Sequence, residues 1–187
     1  GVGGGVGKGG GGVTVIYTDG SMRGKQPLER LATYAWVIPM PADRVPGSDP
    51  DGWRCVAGGG VVHGPPQQLC SLRAELNAVL SAVMYLVMVE WETPVKIYLD
   101  NQGVAYDGWH EGLTEGDWMD PNKMIKTKHA DMWATLEWWR LRLKCDMELA
   151  WHPGHPERRL GEDFRKWGVQ DAGNWIADKV ADDMYGR

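Results

Sequence analysis

Cysteine is scarce in this chain. The three thiols, Cys55, Cys70 and Cys145, are odd in number and far apart, so they give no disulfide framework and no paired-cysteine metal motif. They read as buried thiols of a reducing, intracellular compartment. Long apolar runs are missing as well. No stretch approaches the roughly 20 continuous apolar residues of a membrane span, and no charged-then-apolar leader opens the sequence. The expectation is a protein that meets no membrane. The first residue is Gly rather than Met, which fits a processed product or a piece of something longer. Positive charge is also short. Twenty Lys and Arg against 25 Asp and Glu leave a formal charge of -5. Nucleic-acid binders usually carry a basic patch, so the net charge by itself argues weakly against one.

What is present suits one globular domain. The chain has 187 residues, 43% of them hydrophobic, enough for a sizeable core. Residues 1–12 are nearly all glycine, cannot bury apolar surface, and read as a flexible tail or linker ahead of a domain over 13–187. Val13–Asp19 is a β-branched run closed by Asp-Gly-Ser, which predicts a strand and a turn. Tyr34–Ile38 and Trp53–Val62 are the next two strands, and the proline-rich Pro39–Gly52 between them is a loop. Three strands joined by turn-rich segments predict an antiparallel meander.

The period then changes. Leu76, Val79, Leu80, Val83, Leu86 and Val87 recur at helical spacing, which predicts an amphipathic helix over Ser71–Trp91. Pro94 ends it, and Val95–Asp100 is a fourth strand. A short helix over Gln102–His110, an irregular polar protrusion over Glu111–Lys128, a helix over Ala130–Leu143 and a fifth strand over Met147–Trp151 follow. Pro153–Gly173 is a charged loop, and Asn174–Tyr185 is the last helix. The order β-β-β-α-β-α-α-β-α predicts an α/β domain with a five-stranded mixed sheet flanked by helices.

Four acids fall at suggestive places. Alternation puts Val15, Tyr17 and Asp19 on one face of the first strand, and Lys96, Tyr98 and Asp100 on one face of the fourth. Both segments end Tyr-x-Asp, so parallel neighbours would release both acids at the same edge, where sites form in open α/β sheets. Glu75, in the first turn of the long helix, borders its packed face. Asp178 shares a side of the last helix with Asn174, Ala177 and Ala181, whose small size permits close packing. Taken singly, each acid is better explained as a turn former or a helix-end residue. Together, four like charges persist as anions only beside cations, and hard oxygen ligands suit Mg²⁺ or Mn²⁺. Two such ions about 3.5–4 Å apart are the arrangement that hydrolyses phosphodiesters. Removing those four carboxylates from the count takes the charge from -5 to -1.

The motifs carry a resemblance. Tyr17-Thr18-Asp19-Gly20-Ser21, Arg73-Ala74-Glu75-Leu76, Tyr98-Leu99-Asp100-Asn101-Gln102, Trp151-His152-Pro153-Gly154-His155 and Asn174-Trp175-Ile176-Ala177-Asp178 resemble, in order, the motifs of the type 1 ribonuclease H family. The resemblance runs from about Val13 to Ala181. It implies the ribonuclease H-like fold and hydrolysis of the RNA strand of RNA–DNA hybrids by a two-metal mechanism. It implies Asp19, Glu75, Asp100 and Asp178 as ligands of Mg²⁺ or Mn²⁺. His155 would assist product release or proton transfer, and His152 would be structural. Gln102, Ser21 and Asn174 would contact the nucleic acid. Lys123, Lys126 and Lys128 would grip its backbone from the protrusion, which answers the charge objection. RNA specificity would come from contacts to 2′-hydroxyls. Trp109, Trp118, Trp133, Trp138 and Trp139 read mostly as core or support residues, not stacking platforms.

Three departures qualify the match. Lys25 stands where many cellular members carry Asn. Ser71-Leu72 replaces a polar amide pair that helps grip the hybrid, which is more like the ribonuclease H domains of reverse transcriptases and retroelements. The segment between His155 and Asn174 is long and holds Arg158, Arg159, Arg165, Lys166 and Trp167. It reads as a further nucleic-acid contact or a docking surface. Two readings stand: an active nuclease, free-standing and monomeric or part of a larger polyprotein, and a non-catalytic nucleic-acid-binding or assembly module in which Lys25 pairs with a site carboxylate.

Overall fold

β-Branched and aromatic residues make Thr14–Arg23 the central strand, β1, of a five-stranded sheet. The computed structural model describes residues 12–41, 43–108 and 128–186. β1 pairs antiparallel with β2 (Leu31–Pro39), and β2 pairs antiparallel with β3 (Cys55–Val61). On its other edge β1 pairs parallel with β4 (Val95–Leu99), and β4 pairs parallel with β5 (Met147–Trp151). The order β3-β2-β1-β4-β5 is the mixed sheet expected from the alternation of elements, with the meander on one side. The helices are α1 (Ser71–Met88), α2 (Ala130–Arg140), the short α3 (Pro156–Arg159) and α4 (Val169–Asp183). Gly103–Gly108 forms a π-helical turn.

The two faces of the sheet are covered by different helices. Ile16, Ile97, Leu99 and Leu149 face α1 and α2, where they meet Leu76, Val83, Leu86, Trp133 and Leu136. Val15, Tyr17, Val37 and Tyr98 face α4, where they meet Ile176, Ala177 and Val180. Each fully buried Leu or Ile in this core contributes about 1.5–3 kcal/mol from the apolar surface it removes from water. α1 is long and apolar enough to cross a membrane on composition alone, but 56% of it is buried within the molecule as the central core helix.

Several boundaries differ from the sequence reading. β1 does not stop at Asp19: Asp-Gly-Ser continues the ladder, with Asp19 opposite Ala35 and Ser21 opposite Thr33. Cross-strand pairing outweighs the turn preference of the three residues there. β2 runs Leu31–Pro39, not Tyr34–Ile38, and β3 is confined to Cys55–Val61. Glu75 is the fifth residue of α1, one turn further in than expected, because Cys70 caps the helix and Ser71 opens it. α4 starts at Val169, not Asn174, because the Asp171 carboxylate turns back to accept the Gly168 N–H at 3.0 Å and closes the helix start there. α1 ends at Met88 and α2 at Arg140, each short of the predicted end. Lys123, Lys126, Trp109 and Trp118 of the expected protrusion, and most of the Gly-rich segment, lie outside the described residues.

Candidate active site

The site begins with strand register. β1 and β4 are parallel neighbours, with Tyr17 opposite Tyr98. Their rings stack at 5.7 Å between centroids. Two residues further along each strand come Asp19 and Asp100, so both acids leave the same edge of the sheet. Asp19 is 3% exposed. Asp100 lies just past the end of β4, where its carbonyl accepts the Trp151 indole N–H at 3.2 Å and the Leu99 carbonyl accepts the His152 N–H at 2.9 Å. β5 thereby fixes the backbone that presents Asp100.

Glu75 arrives from α1. It is 4% exposed, and it reaches Asp19 because Gly20 lets the helix lie directly on the strand. A Cβ on Gly20 would come within 2.6 Å of the Ala74 and Glu75 backbone. The Gly20 N–H sits between the two acids, 2.9 Å from Asp19 Oδ1 and 3.1 Å from Glu75 Oε1. One amide thus serves two carboxylates. Glu75 Oε2 is buried with no hydrogen-bond partner among the described residues.

Asp178 comes from α4, on the side occupied by the buried Asn174, Ala177 and Ala181. Its carboxyl lies within hydrogen-bonding reach of Asp19. His155 stands beside it in a left-handed conformation (φ 54°), with Nδ1 3.3 Å from Glu157 Oε1 and 4.0 Å from Asp178 Oδ2. The four acids expected from the sequence therefore meet at one edge, with Asp19 touching the fields of all the others.

Electrostatics describe the strain of that arrangement. Burial, and after it the Asp100 carboxylate, holds the Asp19 carboxyl well above the usual carboxylate range. Glu75 is raised by burial and then by Asp19. Asp178 is raised chiefly by burial, offset in part by its hydrogen bond with Asp19. Protein groups alone leave the cluster under-compensated. A divalent cation fits it: one oxygen each from Asp19, Glu75 and Asp100 lies within 4.8 Å of the other two, and Glu75 offers an unpartnered buried oxygen. His155, Glu157 and Asp178 form an adjoining set that meets the same distance limit. Glu157 was not foreseen from the sequence. Its one signal is its place two residues after His155, with Pro156 turning the chain.

The remaining expected residues are spread around this edge. Gln102 is exposed beside Asp100. Ser21 is engaged, its hydroxyl donating to Asp182 Oδ1 at 3.1 Å. Asn174 is 5% exposed, and its Oδ1 accepts the His155 N–H at 3.3 Å, so here it steadies the loop that carries His155. Lys128 is exposed just ahead of α2. Lys25 is exposed and, among the described residues, forms no ion pair with the acid cluster. His152 Nε2 lies 2.7 Å from Asp171 Oδ1, which Arg159 also contacts at 2.7 Å. Trp133 is core, whereas Trp138 is half exposed under the Arg142 guanidinium. Sequence reasoning also missed the clamp between Arg73 and Asp131, which ties α1 to α2 with two bonds of 3.0 and 2.7 Å.

No protein-family model matches the sequence, and no curated protein matches it significantly. Solved structures do match. The solution structure of the prototype foamy virus RNase H domain superposes with a TM-score of 0.62 at 20% identity, covering 91% of this chain and 93% of that one. This chain has the ribonuclease H fold. The prototype foamy virus protease–reverse transcriptase gives a TM-score of 0.63 at 20% identity; 91% of this chain aligns, but only 20% of that much longer one is covered. A foamy viral protease–reverse transcriptase has also been solved with an RNA/DNA hybrid. LC9-RNase H1, a type 1 RNase H with the type 2 active-site motif, gives 0.57 at 18% identity, covering 93% of this chain and 72% of that one. The ribonuclease H fold therefore recurs here with four acids gathered at the edge where its parallel strands end.

Proposed function

We propose that the chain is a metal-dependent endonuclease that hydrolyses the RNA strand of RNA–DNA hybrids. The observation that carries this reading is the convergence of Asp19, Glu75 and Asp100 on one point, with Asp178 near enough to Asp19 to interact with it electrostatically. Asp19, Glu75 and Asp100 would hold one Mg²⁺ or Mn²⁺, and Asp178 with Asp19 a second. When bound, such a pair lowers the pKa of water and offsets charge on the cleaved phosphate. The protein's own share is placement. Gly20 N–H orients Asp19 and Glu75, Trp151 and β5 fix the strand end that carries Asp100, and Asn174 steadies His155. His155, partly exposed, turns Nδ1 toward Glu157 and Asp178, and its Nε2 is the atom that would exchange a proton with the leaving product. Gln102 and Lys128, both exposed, would contact a bound hybrid, and Lys123 and Lys126 would extend that contact.

The foamy virus likeness supports a role within a larger reverse-transcribing polyprotein, because 91% of this chain aligns with 20% of that protease–reverse transcriptase. The test uses a hybrid labelled on each strand in turn, with Mg²⁺. The reading expects internal cuts in the RNA strand, an intact DNA strand, and no cutting of duplex DNA. An uncut hybrid bound without turnover would replace it with a binding module.

A further inference from the structure

A second concave site adjoins the His155 side of the acid cluster and shares Glu157 with it. The Pro50–Gly52 turn between β2 and β3 and the long segment after α3 together enclose a cavity of about 390 Å³. That volume falls within the range of ordinary ligand pockets. Its lining has two chemistries only. Phe164, Trp167 and Trp175 supply aromatic surface, and Asp49, Asp51, Glu157 and Glu162 supply carboxylates, with Pro50 between them.

The walls are built rather than loosely apposed. The Gly47 N–H donates to the Trp167 carbonyl at 2.9 Å, joining the two segments. Trp167 is 4% exposed, and its indole N–H donates to the Gly161 carbonyl at 2.9 Å. Trp167 and Trp175 lie 5.9 Å apart, tilted at 52°. The molecule already displays the chemistry this lining accepts. Lys179 Nζ rests 4.5 Å from the Trp175 ring centre and 3.4 Å from Asp51 Oδ1. An ammonium is thus held at the rim by one indole and one carboxylate. At the open side Glu162, exposed, makes no hydrogen bond or ion pair among the described residues, and Glu157 Oε2 is buried without a partner. Two basic residues of the same segment are engaged outside the cavity: Arg159 on Asp171 and Arg165 on Asp163.

We propose that this cavity receives a lysine or arginine side chain presented by a basic segment of a partner protein. Aromatic faces attract a cation through the ring quadrupole, and the unpaired carboxylates add charge-assisted hydrogen bonds. A nucleic acid is the wrong occupant, since its phosphates would meet four carboxylates. The site also gives the long segment after His155 a role that the hydrolytic site does not need.

The test follows the Trp167 and Trp175 indole N–H signals of the whole chain by NMR. It is titrated with a capped peptide, Gly-Gly-Lys-Gly-Gly, then with its arginine and norleucine counterparts. Saturable shifts of both signals with Lys and Arg, and none with norleucine, are expected. The double variant Asp49→Asn/Glu162→Gln, both exposed positions, should weaken binding at least several-fold while its spectrum stays folded and its hybrid cleavage stays unchanged. Phe164→Ala should weaken it too. Shifts equal for norleucine, shifts untouched by the substitutions (diffuse attraction to an acidic surface), or no shift at all would overturn the proposal.

Discussion

Gly154 lies so close to the Asp100 carboxylate that any side-chain carbon at residue 154 would overlap Asp100 Oδ2. The residue before His155 is therefore glycine for a packing reason, and the loop that carries His155 is seated directly against a proposed metal ligand. Gly154→Ala should push the carboxylate or the loop out of place. Disturbing what positions a metal ligand typically costs about 10–100-fold in metal affinity or activity. We expect a loss in that range, with thermal stability little changed, measured by hybrid cleavage across a Mg²⁺ titration.

Asp171 accepts from both His152 and Arg159 and is only 11% exposed at its side chain. Burial raises its carboxyl, but the His152 and Arg159 hydrogen bonds outweigh that and hold it below the usual range. A lowered folded value means the stabilisation is present above the ordinary carboxylate value and is lost as pH falls through the folded one. Asp171→Asn should lower unfolding free energy by about 2 kcal/mol at neutral pH. The gap to wild type should close as pH falls below the ordinary carboxylate range. Urea unfolding at several pH values checks both the size and the direction.

Arg73 is buried, with its side chain 5% exposed, while its partner Asp131 is 62% exposed. Asp131→Ala leaves the guanidinium without its two carboxylate bonds. A loss of about 2 kcal/mol is expected, more than for an exposed pair such as Arg23–Asp182, which contributes at most about 1 kcal/mol. Paired chemical-denaturation curves for Asp131→Ala and Asp182→Ala measure the contrast.

Much of this was legible in the sequence, for a physical reason. Strands and helices bury their apolar residues with fixed periods, so the alternation in Val13–Asp19 and Val95–Asp100, and the helical spacing from Leu76 to Val87, located the core. The repeated Tyr-x-Asp foretold that Asp19 and Asp100 would emerge together, and register with Tyr17 opposite Tyr98 delivers them so. What was not legible depends on contacts between distant residues. Asp-Gly-Ser looks like a turn until β2 pairs with it. Val169–Gly173 looks like loop until Asp171 folds back on Gly168. The Arg73–Asp131 clamp has no local signature, because its two residues lie on different helices, and Glu157 is marked only by its place two residues after His155.

Removing metal should expose the repulsion within the cluster. Asp19 and Glu75 share one backbone amide and sit buried beside Asp100. In EDTA at neutral pH, Asp19→Asn removes one of the crowded charges and should raise the melting temperature above that of wild type. With excess Mg²⁺ the wild type should gain stability by mass action and the variant should gain much less. Calorimetry with and without Mg²⁺ gives both comparisons.

The measurement that bears most directly on the central claim is hybrid cleavage in Mg²⁺ by wild type and by Asp100→Asn, side by side. Asp100 is exposed enough for its amide to be tolerated, and the substitution keeps its shape while removing its charge. The account predicts multiple-turnover cutting of the RNA strand by wild type, abolished by EDTA, and loss to background in the variant. Equal cutting by both proteins, or cutting that persists in EDTA, would contradict it.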